Sequence, residues 1–454
     1  MGSRIQLSDH FTYKRLMRFV TPTIFMMIFT SVYGVVDGIF VANFVGQTAF
    51  QAVNLVMPFI MVLGAVGFMI GAGGSAIVSK TLGEGDAERA NKYFSFLVYF
   101  TAGAGAALLV LGEALAKPVC KLLGATGDNA FLLSECIKYL RVVLFGVPFF
   151  MLQNIFQTFF AVAERPKLGF LITVIAGVTN MVLDLLFVYI FKWGIQGAAA
   201  ATITSEFIGG TIPFIYFARK NPTVLRLIST RFFGRVLAKT CGNGLSEFAN
   251  NVSGSFVSMI YNVQLLKYVG ASGVSAYGTL MYVNFIFFAI FIGYAIGSAQ
   301  IVGFNFGAQN KEELKNVFKK SCVIMGVTGA AMCLSAEVLA PLLAYIFASG
   351  DSEVYALTCR AFLFSGFIFL FCGFNIFGSA FFTALSNGII SLIVSLLRTL
   401  AFQATAVLFL PIVFDAVGWS PLDGIWCAGV FSDVMAFIAT LIFILAKKKK
   451  YGYL

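Results

Sequence analysis

The sequence predicts an all-α membrane protein of twelve transmembrane helices, built as two six-helix bundles related by a parallel pseudo-two-fold repeat. Three observations lead there. The 454 residues are 59% hydrophobic and only 11% charged, with a mean hydropathy of +0.91, whereas soluble domains carry about 25% charged residues. The apolar residues fall into runs of about 20–28, long enough for a helix to cross a hydrocarbon core of roughly 30 Å. The second half of the chain echoes the first.

The spans are expected near 16–43, 52–80, 92–115, 137–163, 168–190, 194–217, 240–266, 275–304, 316–347, 356–385, 388–413 and 422–446. Helices are expected because lipid cannot satisfy bare backbone groups, and the 45 glycines suit close helix approach. The first run exceeds a signal-peptide core and has no cleavage pattern, so it reads as a retained helix. Residues 219–239 form the longest basic connection and divide an N-terminal lobe (1–218) from a C-terminal lobe (240–454). Shifting the chain by 224 positions aligns Val45-Gly46 with Val269-Gly270, Ala52 with Ala276, Met57 with Met281 and Ala65 with Ala289. Gly73 then meets Gly297, Ile77-Val78 meets Ile301-Val302, Gly83 meets Gly307, Glu88 meets Glu312 and Phe94 meets Phe318. A run of this kind without gaps marks a structural repeat. A weaker echo pairs Asn154 with Asn375. Six plus six helices entering from the same side make the repeat parallel and place a cavity between the halves, a common transporter plan.

The net charge of +11 is distributed by side of the membrane. With the N-terminus inside, 23 of the 31 Lys/Arg lie in cytoplasmic segments and Arg398 lies in a span. This positive-inside bias assigns both termini to the cytoplasm of a plasma-membrane protein. The Lys447–Lys450 run flanks the last span and meets anionic headgroups. Nucleic acid is a poor partner for charge spread this way; the bilayer is the expected one, and the chain is expected to act as a monomer.

Several chemistries are excluded. His10, the single histidine, precedes the first span, which removes histidine-based zinc hydrolysis and catalytic triads. No GxxxxGK[ST] loop is present to cradle ATP phosphates. No enzymatic activity and no cofactor are expected, so uphill transport would draw on an ion gradient. The eight cysteines form no CxxC pair, and most lie within spans as small apolar residues.

The acids inside spans carry the functional signal, because burying a charge in a membrane costs several kcal/mol unless it gains a partner. Asp37 lies deep in span 1 and Asp184 deep in span 5. Tyr33 and Asn180 precede them by four residues, which places each pair on one helix face. Such faces can bind a proton or a small cation such as Na+. The repeat puts Tyr261 and Ala406 at the matching second-half positions, so the acids belong to the first half. Glu206, Glu247, Asp433 and Arg398 also lie at or in spans without an assigned role; Glu247 and Arg398 could pair or snorkel. Glu113 and Glu337 are expected at solvated outer helix ends. Part of the aromatic content would line a cavity, where ring faces favour organic cations.

Specific motifs add a resemblance. YGVVDGIFVANFVG (33–46), LGEGDAERANK (82–92) and its copy FGAQNKEELKN (306–316), with YLR (139–141), NMVLD (180–184) and GAAAAT (197–202), resemble the multidrug and toxic compound extrusion (MATE) family across essentially the whole chain. The DinF-like branch, with its MepA-type exporters, is the best match. The resemblance implies a secondary antiporter that exports cationic amphiphilic drugs in exchange for H+ or Na+ by alternating access. It implies a coupling site at Asp37, Asn180, Asp184 and Thr202, with Tyr139 beside it. Substrate contacts are implied at Tyr33, Asp37, Asn154, Asp184 and Asn375, and a bend at Pro22. The NorM-like branch carries acids where this chain has Gly254 and Asn375, so a second-half cation site is not expected. A lipid or oligosaccharide flippase of the same superfamily is the alternative reading. Such flippases often carry basic residues in the cavity.

Overall fold

The computed structural model describes residues 5–123, 130–348 and 352–454, and among them only helices and connecting turns occur. The first half comprises α1 (Tyr13–Phe40), α2 (Gln47–Gly83), α3 (Ala87–Leu122), the two pieces of α4 (Ala130–Leu144 and Val147–Val162), α5 (Pro166–Asp184) and α6 (Gly194–Ala218). The second half comprises α7 (Gly234–Tyr268), α8 (Ala271–Gly307), α9 (Lys311–Ala348), α10 (Ser352–Ser365 and Phe369–Ala384), α11 (Gly388–Leu396 and Gln403–Ala416) and α12 (Pro421–Tyr451). Ten of these spans are long and apolar enough to cross a bilayer unaided, and α4 qualifies as a pair bent by 52°. The twelfth, α7, has the length at 35 residues but is diluted by Arg235, Lys239, Asn243, Glu247, Asn250 and Asn251.

α7 starts at Gly234, so it takes up Arg235 and Lys239, which hydropathy places in the 219–239 connection. Hydropathy locates the lipid boundary, and a helix runs past it because its backbone bonds are internal. The rest of the connection lies along α3. Asn91 Nδ2 donates to the Val224 carbonyl (2.9 Å), Arg226 N–H to Asn91 Oδ1 (2.6 Å) and Ile228 N–H to Ser95 Oγ (2.8 Å).

The repeat is written into the backbone. Left-handed conformations recur at Gly46 and Gly270, at Gly85 and Gln309, and at Glu164 and Ser386. Asp86 Oδ1 accepts from Arg89 N–H (2.9 Å), and Asn310 Oδ1 accepts from Glu313 N–H (3.1 Å). The repeated loop motif is thus a turn residue followed by an N-cap, which satisfies an otherwise orphaned donor of the next helix.

The halves close on each other at the end carrying both chain termini, through exchanged glycine contacts. A Cβ on Gly83 would overlap the Phe304 carbonyl, and one on Gly307 would overlap the Lys80 carbonyl. Gly73 lies on Thr240 and Gly244 of α7, and Gly297 lies on Val20 and Thr23 of α1, the same contact seen from the other half. Helices in lipid gain no hydrophobic drive to associate, so close backbone packing and hydrogen bonds hold them. Gln300 Nε2 adds one, donating to Ser75 Oγ (3.1 Å). The N-terminal segment crosses this seam. Leu7 N–H donates to Glu164 Oε1 of the first half (2.9 Å), while Phe11 N–H donates to Glu313 Oε1 of the second (2.9 Å).

Candidate functional site in the first half

Local geometry brings the two acids together. α1 continues past Pro22 to Phe40 and then loosens into a π turn, Val41–Val45. α5 does the same immediately after Asp184, in the π turn Leu185–Ile190. Such turns leave backbone groups loosely paired and often mark functional sites. The Phe44 and Tyr189 rings pack edge to face at 5.0 Å, locking one turn to the other. One end lower, Gly177 has no side chain where a Cβ would collide with the Phe29 and Tyr33 rings. α1 therefore lies directly on α5.

The result is that the Asp37 and Asp184 carboxyl groups come within hydrogen-bonding reach of each other. Asp184 is fully buried and Asn180, one turn earlier, is 1% exposed. Asp37 is half-buried. Glu206 of α6 lies in electrostatic reach of Asp37, and its carboxylate occupies the space over Gly146, at the break of α4. Tyr139 is buried within reach of all three acids, and the Tyr33 hydroxyl is within hydrogen-bonding reach of Gln153. Gln153 itself lies on Gly209 of α6.

Asp37 Oδ1, both Asp184 oxygens, Asn180 Oδ1 and Glu206 Oε2 are buried and accept no hydrogen bond from any of the described residues. None of the three acids forms an ion pair with a Lys, Arg or His among the described residues. Buried polar atoms are normally paired, so this acceptor-rich cluster calls for positive charge between its oxygens. No group of three His, Cys, Asp or Glu among the described residues is arranged to hold a metal ion.

The other expected residues fall differently. Thr202 donates its hydroxyl to Ala198 of its own helix (3.1 Å). Asn154 is buried and its Nδ2 finds no acceptor among the described residues. Asn375 belongs to a separate second-half network, donating to Asp433 Oδ1 (2.8 Å). Arg398 is held there too, by Asp433 at 2.7 Å, which corrects its suggested pairing with Glu247. Glu337 and Glu113 are not simply solvated, since each has one buried carboxylate oxygen without a donor. Sequence reasoning left Glu206 unassigned and did not single out Gln153. The spacing of Glu206 four residues after Thr202 was the available signal.

Ten apolar helices of membrane-spanning length, with an eleventh bent pair, make this a polytopic membrane protein. A family model, MatE, matches residues 22–186 and 248–406, and the chain belongs to that family. It is 24% identical over 447 residues to the multidrug export protein MepA of Staphylococcus saprophyticus, covering 96% of this chain and 94% of that one. The Staphylococcus aureus (strain MRSA252) protein of the same name is 23% identical over 369 residues, 80% of each chain. Among solved structures, a MATE protein in complex with MaL6 superposes with a TM-score of 0.90 at 22% identity, covering 99% of this chain and 100% of that one. The outward-facing conformation of a multidrug resistance MATE family transporter gives 0.89 at 22% identity, covering 99% of each.

Proposed function

We propose that this protein exports amphiphilic organic cations in exchange for protons, alternating the first-half cavity between the two sides of the plasma membrane. The observation that carries this reading is that the Asp37 and Asp184 carboxyls lie within hydrogen-bonding reach of each other, beside Glu206, without a basic partner among the described residues. Two carboxyl groups this close need a proton or another cation between them, because an uncompensated pair of charges in low dielectric is costly. A bound organic cation supplies that charge from one side, and protons supply it from the other. A ligand drives the cycle only if it binds the two arrangements unequally, and competition for one charge provides the inequality. The relatives named for multidrug export support the substrate class. The positive-inside bias supports placing the end with both termini in the cytoplasm.

The flippase reading is the weaker one: flippases of the superfamily often carry basic residues in the cavity, whereas the sequence puts only Arg398 inside a span, and Asp433 holds its guanidinium at 2.7 Å.

The test is a binding titration of a fluorescent organic cation against purified protein at several pH values, with and without sodium. Affinity is expected to fall at least tenfold as pH drops and the carboxyl groups take up protons. In Asp184→Asn that dependence disappears, and coupled efflux in Asp37→Asn and Asp184→Asn falls to near background at normal expression. An affinity independent of pH that weakens only with added sodium would replace the proton by sodium.

A further inference from the structure

A second polar feature lies in the second half, on helices other than those that carry the acids above. Glu337, Ala340, Pro341, Cys359, Arg360, Leu363 and Phe364 line a crevice of about 510 Å³ between α9 and α10. At 1.5 Å per residue, Glu337 stands about 25 Å along α9 from Lys320, near the far edge of a hydrocarbon core of roughly 30 Å. Its surroundings face lipid: Val338 is 76% exposed, and Leu342 and Leu363 are each 56% exposed.

The repeat shows why the crevice is charged. Glu113 is the first-half counterpart of Glu337, and its Oε2 faces Arg141 Nε at 3.8 Å. In the second half the available arginine is taken elsewhere. Arg360 Nε and Nη2 each donate to an Asp423 oxygen at 2.6 Å. Among the described residues Glu337 has no basic partner, and its Oε1, wedged against Gly366, is buried without a donor. Four residues on, Pro341 lies inside α9 and offers no N–H to the Glu337 carbonyl. Glu337 and Pro341 both line the crevice, so the carboxylate and the carbonyl that Pro341 leaves unbonded lie on the face of α9 that borders it. Arg360 is half exposed, and its Nη1 takes no part in the Asp423 pair.

We propose that this crevice binds the head group of an aminophospholipid. The primary ammonium donates to the Glu337 carboxylate and carbonyl, the phosphate meets Arg360 Nη1, and the acyl chains lie over the exposed apolar side chains beside it. A quaternary head group has the same charge but no N–H to donate, so it satisfies neither acceptor. This site is independent of the transport reading, and the test below reads lipid binding alone.

Purified full-length protein is titrated with short-chain phosphatidylethanolamine and phosphatidylcholine, and bound lipid is counted by native mass spectrometry. The wild type is expected to prefer the ethanolamine head at least tenfold. Glu337→Gln is expected to reduce that preference below twofold while overall lipid retention persists. Pro341→Ala, which returns an N–H to the carbonyl without loss of fold, gives an intermediate value. Equal retention of the two lipids by the wild type overturns the proposal, as does full preference in Glu337→Gln. Dodecylamine forms the last arm: if it binds as tightly as phosphatidylethanolamine, the phosphate contributes nothing and the assignment to a lipid falls.

Discussion

Arg398 and Asp433 face each other with 17% and 4% of their side chains exposed, and the Asn375 amide donates to the same carboxylate oxygen. Ser432 Oγ donates to the Arg398 carbonyl (2.6 Å), tying the same two helices. Removing one member of a buried pair strands the other, at a cost of about 3–5 kcal/mol, while replacing both by apolar residues is often neutral. Arg398→Ala is therefore expected to be strongly destabilised, and Arg398→Met with Asp433→Leu to recover most of the loss. Thermal unfolding in detergent measures both. Asp37 and Asp184 present the opposite case, because they lie near each other and pair with no Lys, Arg or His among the described residues. Their position deep in spans made them legible in the sequence as expensive residues. Glu206 was legible only through its spacing from Thr202, and Gln153 not at all, since helical spacing reports which residues share a face and not which helix that face meets.

The helices are positioned by missing side chains as much as by present ones. Gly83 and Gly307 hold α2 and α8 at backbone contact, and no rotamer change can relieve a Cβ that overlaps a main-chain carbonyl. Gly83→Ala is expected to pry the halves apart at that end and to destabilise the closed arrangement. A cysteine placed at the buried Ser79 should then react with maleimide several times faster. Gly254 is the control. Nothing lies within 4 Å of a Cβ there, so Gly254→Ala should leave the rate unchanged and gain up to about 1 kcal/mol of helix propensity. The loops between helices were readable in advance as copies of one another. Their shared reason, a left-handed turn residue and a capping oxygen, became apparent only in the backbone.

At the scale of the molecule, the N-terminal segment is a clasp across the two halves. Leu7 and Phe11 are buried in the second-half core with Phe318 and Val317, although they belong to the first-half chain. His10 Nδ1 meets Glu313 Oε2 at 2.7 Å, and both Asn316 Nδ2 (3.0 Å) and Lys320 Nζ (2.8 Å) donate to the Phe11 carbonyl. Phe11→Ala removes a fully buried ring, which costs about 3–5 kcal/mol in a core. Loss of that anchor is expected to raise labelling of the Ser79 cysteine from the terminal side. Unchanged labelling would mean that the glycine seam alone holds this end closed.

The spans, the parallel repeat, the uneven distribution of Lys and Arg between segments and the two acids worth attention are all readable from the residues in order. Each of these is a local property, because a bilayer selects every helix by its own length and polarity. It took the packed helices to show that Asp37 lies within hydrogen-bonding reach of Asp184, that Glu206 joins them over Gly146, and that Asp433 rather than Glu247 holds Arg398. Lipid is as apolar as the side chains facing it, so hydrophobicity cannot choose partners between helices. Shape does, through Gly177, Gly146 and the glycines of the seam, and shape is read only once the helices are packed.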